Sequence, residues 1–335
     1  MNRKLTGAEG RKGNRNSVVI DGQKHQVQRR ERIRGRLYLL LQRLAPAPRE
    51  RWLAFNTVGG QACSFLMLSD STAAHQRLKV LRRIECNSLP KILDWERSRA
   101  GLRIVMPWKR GITVREYLKR IQHGKVAPPE PFHAIRLILE LARGLNALHR
   151  HAQIIHGDVK PANLILTHKP SHLSLIDFGS AWFSSSTGFS PEGDGASNAY
   201  AAPELHANGI VNDRADQFSA IVVLYQLLTG VVPYEGLGGK AGWPEFQESS
   251  ASAIPPSQCP LSRKFLPRRL WREIDALVLK GVSLDPNDRF AHSCEWVDSL
   301  EAVFLNLRVH RSSGPQLRPT VWDRLTDFAD RLIGG

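Results

Sequence analysis

One stretch, HGDVKPANLIL at residues 156–166, constrains the fold and chemistry of this chain more than any other. It places an acid, a cation and a carboxamide on one turn, as Asp158, Lys160 and Asn163. An apolar run follows directly, which predicts that the turn leads into a short strand. A second acid, Asp177, ends the next apolar run. Because three polar side chains on one turn rarely arise for packing, the pattern indicates a chemical site.

These four side chains match the needs of phosphoryl transfer. That reaction requires positioned phosphates, neutralised charge and an acceptor hydroxyl held in line, and it needs little covalent chemistry. In this interpretation Asp158 accepts the hydroxyl proton or orients the hydroxyl, and Lys160 faces the transferred phosphate. Asn163 and Asp177 supply oxygen ligands of the kind that Mg²⁺ prefers. The sequence therefore predicts a magnesium-dependent phosphotransfer site.

The chain around this stretch divides into a strand-rich part and a helix-rich part. Apolar runs predict one helix, capped by Asp70 or Ser71, and strands at 36–44, 51–56, 62–68, 91–95 and 102–108. Helical spacing after residue 127 predicts a helix ending near His149 and further helices at 214–230, 267–281 and 293–306. The predicted fold class is α+β, with a small antiparallel β lobe and a larger α-helical lobe.

The order of the motifs resembles that of the eukaryotic-type serine/threonine protein kinase family, over roughly residues 36–306. After HxDxKxxN come, in the family's order, Asp177-Phe178-Gly179, Ala202-Pro203-Glu204, Asp216 and Arg289. The resemblance implies a two-lobed kinase fold, with the small lobe at 36–106 and the large lobe at 109–306. It also implies ATP and Mg²⁺ as cofactors and a protein substrate with a serine or threonine acceptor.

The resemblance also assigns roles around the nucleotide. The segment LRIVMPWKRGITVREYL at 102–118 fits the family's strand, hinge and following helix without gaps. Met106 then stands at the gatekeeper position, and the backbone of Pro107 and Lys109 faces adenine. Ile165 joins them as a cofactor-binding residue.

The resemblance also implies the following roles in the substrate segment and in the support of the site. Ser197 stands where the family has a threonine that contacts the catalytic Asp and Lys, which together with Lys160 favours Ser/Thr acceptors. Glu204 and Arg289 form a buried ion pair that anchors the substrate-binding segment. Asp216 holds the backbone of the catalytic loop, while His156 serves packing.

The small lobe departs from the family's pattern. The expected glycine-rich loop is LAPAPRER at 44–51, which has no glycine and two prolines that lack a backbone donor. Leu66 occupies the place of the strand lysine that holds the α- and β-phosphates. Arg77 occupies the place of the helix glutamate that pairs with that lysine. Both members of the pair are missing, so the loss is coordinated.

Three functions fit these departures. In the first, another cation replaces the lysine, as in the with-no-lysine kinases, and Arg49, Arg51 and Arg77 are the candidates. In the second, the chain is a pseudokinase or scaffold that binds nucleotide or a protein partner without transfer. In the third, it is a small-molecule phosphotransferase, because HGD resembles the aminoglycoside-type enzymes. The intact catalytic set favours the first, and Gly157, in place of the family's Arg, predicts no strong dependence on activation-segment phosphorylation.

The two ends of the chain are predicted to be tails. Residues 1–36 carry eleven Lys/Arg against three acids, which is half of the net charge of +16. We expect residues 1–35 to be a disordered basic tail that could contact nucleic acid or an anionic membrane surface. Residues 307–335 are expected to form a C-terminal tail with an amphipathic helix at 321–333.

Cysteine usage and hydropathy indicate a cytoplasmic protein. The four cysteines lie far apart with no CxxC pair, which favours reduced thiols. The longest apolar run, at 220–232, is interrupted by Gln226 and is shorter than the ~20 residues of a membrane span. No signal peptide is expected, because no apolar region follows the basic start.

Overall fold

The computed structural model describes residues 10–12, 16–47, 50–99, 101–167, 172–177, 182–183, 197–206, 211–246, 252–259 and 266–313. Arg49 and the predicted helix at 321–333 lie outside these residues, as do the side chains of Arg77 and Ser197. The chain divides into two compact units. Met1–Gly111 form the body of the first unit, and Ile112–Leu166 with Ser171–Leu325 form the second.

The first unit is built almost entirely of antiparallel strands. Among its described residues, the α-helix is α1, Thr72–Leu81, and the strands are β1 Gly10–Lys12, β2 Ser17–Ile20, β3 Gln23–Gln26, β4 Arg29–Ile33, β5 Arg36–Ala45, β6 Glu50–Asn56, β7 Gln61–Leu68, β8 Asp94–Ser98 and β9 Gly101–Pro107. Strands β1, β2 and β3 form one sheet, and a six-stranded sheet has the order β4-β5-β6-β7-β9-β8. Ser71 caps α1 by accepting a hydrogen bond from the Ala74 amide at 3.1 Å.

The central part of the six-stranded sheet is buried on both faces, because β5, β6, β7 and β9 are largely apolar. One face contributes a core of Ile33, Tyr38, Leu40, Trp52, Ala54, Cys63, Phe65 and Val105. The other face contributes Leu66, Leu102, Ile104 and Met106, which pack against Ala74 and Leu78 of α1. The sheet is thus fixed to α1 through the face that carries Leu66 and Met106.

The expected disorder of the basic tail is wrong for residues 17–33, which form β2, β3 and β4. The turn between β2 and β3 is Asp21-Gly22, with φ of 50° and 79°, a conformation that suits a two-residue hairpin. Val18 and Ile20 of β2 are buried in a core cluster. Composition was misleading here because the arginines of β4 sit at a sheet edge, where they need no burial.

The second unit is mainly helical. Its helices are α2 Val114–Gln122, α3 Pro131–Ala152, α4 Arg214–Thr229, α5 Arg268–Gly281 and α6 Ser293–Ser313. Its short strands are β10 Gly111–Thr113, β11 Ile154–Ile155, β12 Leu164–Thr167, β13 Leu173–Leu175 and β14 Trp182–Phe183. Helix α4 is buried along almost its whole length, so its polar residues must find partners inside the unit. This combination of units confirms the α+β fold class predicted from the sequence.

Most predicted elements lie within a few residues of their expected bounds. Two differ more. Only the last two residues of the strand predicted at 91–95 belong to β8. Helix α6 continues to Ser313, past the tail boundary expected at residue 307, because Leu307 remains buried and extends the apolar side of the helix. Among the described residues, every helix is too short or too polar to cross a bilayer.

Candidate active site

The structure brings together the acid, the cation and the carboxamide of HGDVKPANLIL. Lys160 Nζ lies 2.7 Å from Asp158 Oδ1. Asn163 Nδ2 donates to Asp158 Oδ2 at 2.8 Å and to the Asp158 backbone carbonyl at 3.0 Å. A 3₁₀ turn over Pro161–Asn163 bends the chain back and makes these contacts possible. The Asp158 carboxylate is therefore held between a cation and an amide donor.

Strand pairing places Asp177 beside this turn. Leu164 of β12 pairs with Leu175 of β13, and the Ile176 amide donates to the Asn163 carbonyl at 2.8 Å. Asp177 follows directly and has a φ of 75°, so the chain turns away from the strand at that residue. Because Asn163 Nδ2 faces Asp158, its carboxamide oxygen is the atom suited to a cation. Asn163 and Asp177 thus fit a hard divalent ion.

A buried carboxylate fixes the backbone that precedes Asp158. Asp216 on α4 is fully buried and accepts hydrogen bonds from the backbone amides of His156 and Gly157, each at 2.8 Å. His149 Nε2 lies 2.8 Å from the same carboxylate. Burial alone raises the pKa of Asp216, but the hydrogen bond and charge of His149, with the contribution of His156, bring the pKa below its usual value. The contacts match the supporting role predicted for Asp216.

His156 is a core residue of the same loop. Burial lowers the pKa of His156, and the nearby carboxylates of Asp216, Asp158 and Asp177 oppose that shift only in part. The ring is therefore neutral near pH 7, and its Nδ1 accepts a hydrogen bond from the Asp158 amide at 3.3 Å. A neutral ring in this position orients the backbone of Asp158.

Gly157 has a φ of 66°, in the left-handed region that favours glycine. In the sequence, Gly157 was notable only because it replaces the family's arginine. The structure adds that its amide bonds to Asp216, so the backbone conformation and the hydrogen bond are set together.

The substrate-segment glutamate is held by an arginine that uses all of its donors. Arg289 Nη1 and Nη2 donate to the two carboxylate oxygens of Glu204 at 2.7 and 2.9 Å. The remaining three N–H groups of the five in a guanidinium donate to backbone carbonyls, those of Ser283, Arg214 and Leu284. The Arg289 side chain is fully buried. The predicted Glu204–Arg289 ion pair is therefore present.

A glycine-rich turn behind this segment was missed by sequence reasoning. A Cβ at Gly239 would lie 1.7 Å from the carbonyl oxygen of Ala201, and one at Gly238 would lie 1.9 Å from that of Ala199. A Cβ at Gly242 would meet Pro203 at 2.7 Å. The signal that could have revealed the contact is the glycine density of EGLGGKAGW at 235–243. This turn, Gly238–Gly242, supports the backbone of residues 199–203 at close range.

Four of the remaining predicted site residues lie in the first unit: Arg51, Met106, Pro107 and Lys109. Two lie in the second unit: Ile165, which is half-buried on β12, and Ser197, which begins the 3₁₀ turn Ser197–Ala199. Met106 and Pro107 end β9, where they pair with Ser64 and Cys63 of β7. Lys109 follows, and burial lowers the pKa of its ammonium. Met106 and Pro107 therefore end a continuous strand, as the hinge assignment requires.

The position of the missing lysine is occupied by an apolar contact. Leu66 is buried with Ala74 and Leu78 of α1, so the strand and the helix are joined without an ion pair. Arg51 of β6 is the direct cross-strand partner of Leu66. Because directly opposed residues in antiparallel strands point to the same face, Arg51 and Leu66 share a face of the sheet.

An antiparallel β unit, a helical unit and the ordered set of Asp158, Lys160, Asn163 and Asp177 are together typical of kinase-like proteins. Comparison with known proteins supports this class. Residues 67–297 match the protein kinase domain. The matched region begins after the segment that lacks the glycine-rich loop and the lysine. The chain therefore belongs to the protein kinase family.

Individual relatives point in the same direction. The serine/threonine-protein kinase PknB of Mycolicibacterium smegmatis is 30% identical over 223 residues, covering 66% of this chain and 32% of PknB. The serine/threonine-protein kinase PrkC of Bacillus subtilis is 26% identical over 200 residues, covering 59% of this chain and 28% of PrkC. The chain thus spans about a third of the length of these curated relatives.

A solved structure supports the fold. The PknI kinase domain of Mycobacterium tuberculosis superposes with a TM-score of 0.54 at 22% identity, covering 79% of this chain and 95% of that domain. The predicted two-lobed kinase fold is confirmed.

Proposed function

We propose that this chain is a serine/threonine protein kinase that transfers the γ-phosphate of ATP to protein hydroxyls. The observation that carries the proposal is the arrangement around Asp158, whose carboxylate is held by Lys160 at 2.7 Å and by Asn163 at 2.8 Å. The similarity to the serine/threonine-protein kinases PknB and PrkC supports it.

The residues of the second unit act mainly by position. Asp158 orients the acceptor hydroxyl and takes its proton as the oxygen attacks phosphorus. Lys160 keeps the carboxylate in place and faces the transferred phosphate. Asn163 and Asp177 would hold Mg²⁺, which neutralises developing phosphate charge when it is bound.

The residues of the first unit would hold the nucleotide. The backbone of Pro107 and Lys109 is proposed to bind adenine, with Met106 and Ile165 as apolar neighbours. Arg51 is the candidate that the strand register favours for the role of the missing lysine, because it shares a face with Leu66. Arg49 and Arg77 stay predictions for the same role.

The substrate class is part of the proposal. Glu204 and Arg289 hold the segment that would receive a peptide, and Ser197 stands at the position that favours Ser/Thr acceptors. A cytoplasmic location is proposed, because all four cysteines are free thiols. The basic N-terminal residues are proposed to contact anionic partners.

The test is phosphate transfer from radiolabelled ATP to a generic protein substrate. Asp158→Ala should abolish labelling while the melting temperature stays close to that of the unmodified chain. Equal labelling by Asp158→Ala and wild type would contradict the assignment of Asp158.

The pseudokinase alternative is favoured by one observation, the burial of Leu66 where the family has a lysine. It predicts a thermal shift with ATP and Mg²⁺ but no labelling of the chain or of any protein. A small-molecule phosphotransferase would instead label a sugar or an aminoglycoside and leave proteins unlabelled.

A further inference from the structure

The N-terminal hairpin, β2 and β3 (Ser17–Gln26), lies before the region that matches the protein kinase domain, which begins at residue 67. It is nevertheless packed into the first unit. Val18 and Ile20 are 0% and 3% exposed. They lie in one core cluster with Leu39, Leu41, Leu53, Phe55 and Ala62 of the six-stranded sheet.

The same cluster reaches the hinge segment, Pro107–Arg110. Trp108, which follows β9, packs as a partly buried neighbour against the cluster that contains Val18 and Ile20. Asp21, in the turn of the hairpin, pairs with the guanidinium of Arg110. Two alternate residues of the hinge segment are therefore held by the hairpin, one by apolar packing and one by charge.

Backbone hydrogen bonds close the base of the hairpin and join it to the six-stranded sheet. The Val27 amide donates to the Asn16 carbonyl at 2.9 Å, and the Gln28 amide donates to the Leu40 carbonyl at 2.9 Å. Arg30 also donates to the side chain of Asn16 at 2.9 Å. These contacts fix both ends of the hairpin, so it can act as a support.

We propose that the N-terminal hairpin is a positioning element that holds the hinge segment in the conformation that binds adenine. This inference rests on the proposed function, because Pro107 and Lys109 supply the adenine contacts there. Trp108 and Arg110 alternate along the chain with Pro107 and Lys109. Holding the first pair limits the motion of the second, and a segment ordered before binding loses less entropy when ligand arrives.

The decisive variant is Asp21→Ala, with Asp70→Ala as its matched control. Asp70 forms an exposed ion pair with Arg97 at 2.7 Å in the same unit, and its exposure resembles that of Asp21, at 29% against 24%. Both changes remove the carboxylate of one Asp–Arg ion pair, but only Asp21→Ala removes an ion pair to the hinge segment. Val18→Ala is a second variant that tests the apolar contact.

Two measurements are made on the full chain. The first is hydrogen exchange of the Trp108–Arg110 amides. The second is the dissociation constant for adenosine, which lacks phosphates and so reports on the adenine contacts without those of the phosphates. We expect Asp21→Ala to accelerate exchange and weaken adenosine binding by about two- to fivefold each, the range that corresponds to an exposed ion pair. Asp70→Ala should change neither.

The outcomes separate the inference from the proposed function. Unchanged exchange and unchanged adenosine affinity in both Asp21→Ala and Val18→Ala overturn the inference. Faster exchange with unchanged adenosine affinity also overturns it, because the hairpin then supports the segment without positioning it for adenine. If the wild-type chain binds neither adenosine nor ATP, the proposed function fails, and faster exchange in Asp21→Ala would still show that the hairpin holds the hinge segment.

Discussion

Lys160 Nζ lies 2.7 Å from Asp158 Oδ1, so the cation of the catalytic turn is paired with its acid. The ion pair holds the Asp158 carboxylate in one direction. In the proposed function it also places a positive charge where phosphate negative charge would develop.

Replacing this lysine should impair turnover more than stability. We expect Lys160→Met to lower kcat by about 10²-fold or more, because a charge aimed at the transition state is lost. Lys280→Met is the matched control, since Lys280 pairs with Glu295 at 2.7 Å on the surface of the second unit. Steady-state kinetics with a generic protein substrate measure both variants. Equal kcat values for Lys160→Met and Lys280→Met would show that Lys160 serves only packing.

The five hydrogen bonds of Arg289 predict that lysine cannot replace it. Lysine cannot reproduce a bidentate contact with Glu204 and three further bonds to carbonyls, so donors and acceptors would be left buried and unpaired. We expect Arg289→Lys to lower the free energy of unfolding by about 3 kcal/mol, measured by urea denaturation. The control is Arg143→Lys, at the exposed pair with Glu301, where a change below about 1 kcal/mol is expected.

The glycine turn behind residues 199–203 predicts a steric effect on the substrate segment. Gly239→Ala would bring a methyl group within 1.7 Å of the Ala201 carbonyl, so the segment must move. We expect a raised KM for the protein substrate with the KM for ATP unchanged. Gly236→Ala is the control for backbone strain without a steric clash, because Gly236 has a φ of 92° but open space around its Cβ position. A normal substrate KM in Gly239→Ala would contradict the supporting role of the turn.

Burial of His156 predicts a pH dependence of stability. Its pKa is lowered in the folded chain, so between that value and about 6.5 the unfolded chain binds the additional proton. The free energy of unfolding should therefore fall as pH decreases below about 6.5, at up to about 1.4 kcal/mol per pH unit for this group. His156→Asn should flatten the profile, whereas His151→Asn, at an exposed position of α3, should leave it unchanged. Parallel profiles for all three chains would remove His156 as the cause.

Part of this fold could be predicted because local pattern and tertiary structure agree. The run that forms α4 is apolar and long enough for a buried helix. The sequence of β7 predicts a strand in a sheet buried on both faces. The site formed by Asp158, Lys160 and Asn163 could be predicted because three polar side chains at those spacings have few structural uses.

Other features depend on contacts that sequence does not display. The basic composition before residue 36 suggested disorder, but Val18 and Ile20 supply enough apolar burial for a hairpin when a sheet face is available. The close approach of Gly239 to Ala201 joins segments far apart in sequence. The meaning of Leu66 also required the structure, because only packing against Leu78 shows how β7 and α1 remain joined without an ion pair.

Asp158, Lys160, Asn163 and Asp177 are proposed to transfer a phosphoryl group although the usual lysine is absent. The decisive experiment is to incubate the purified chain with γ-labelled ATP, Mg²⁺ and a generic protein substrate, and then to identify the phosphorylated amino acids. We expect phosphoserine or phosphothreonine in reactions with the wild-type chain and none with Asp158→Asn. Absence of both from wild-type reactions that do bind ATP and Mg²⁺, or equal yields from Asp158→Asn, would rule out transfer by these four residues.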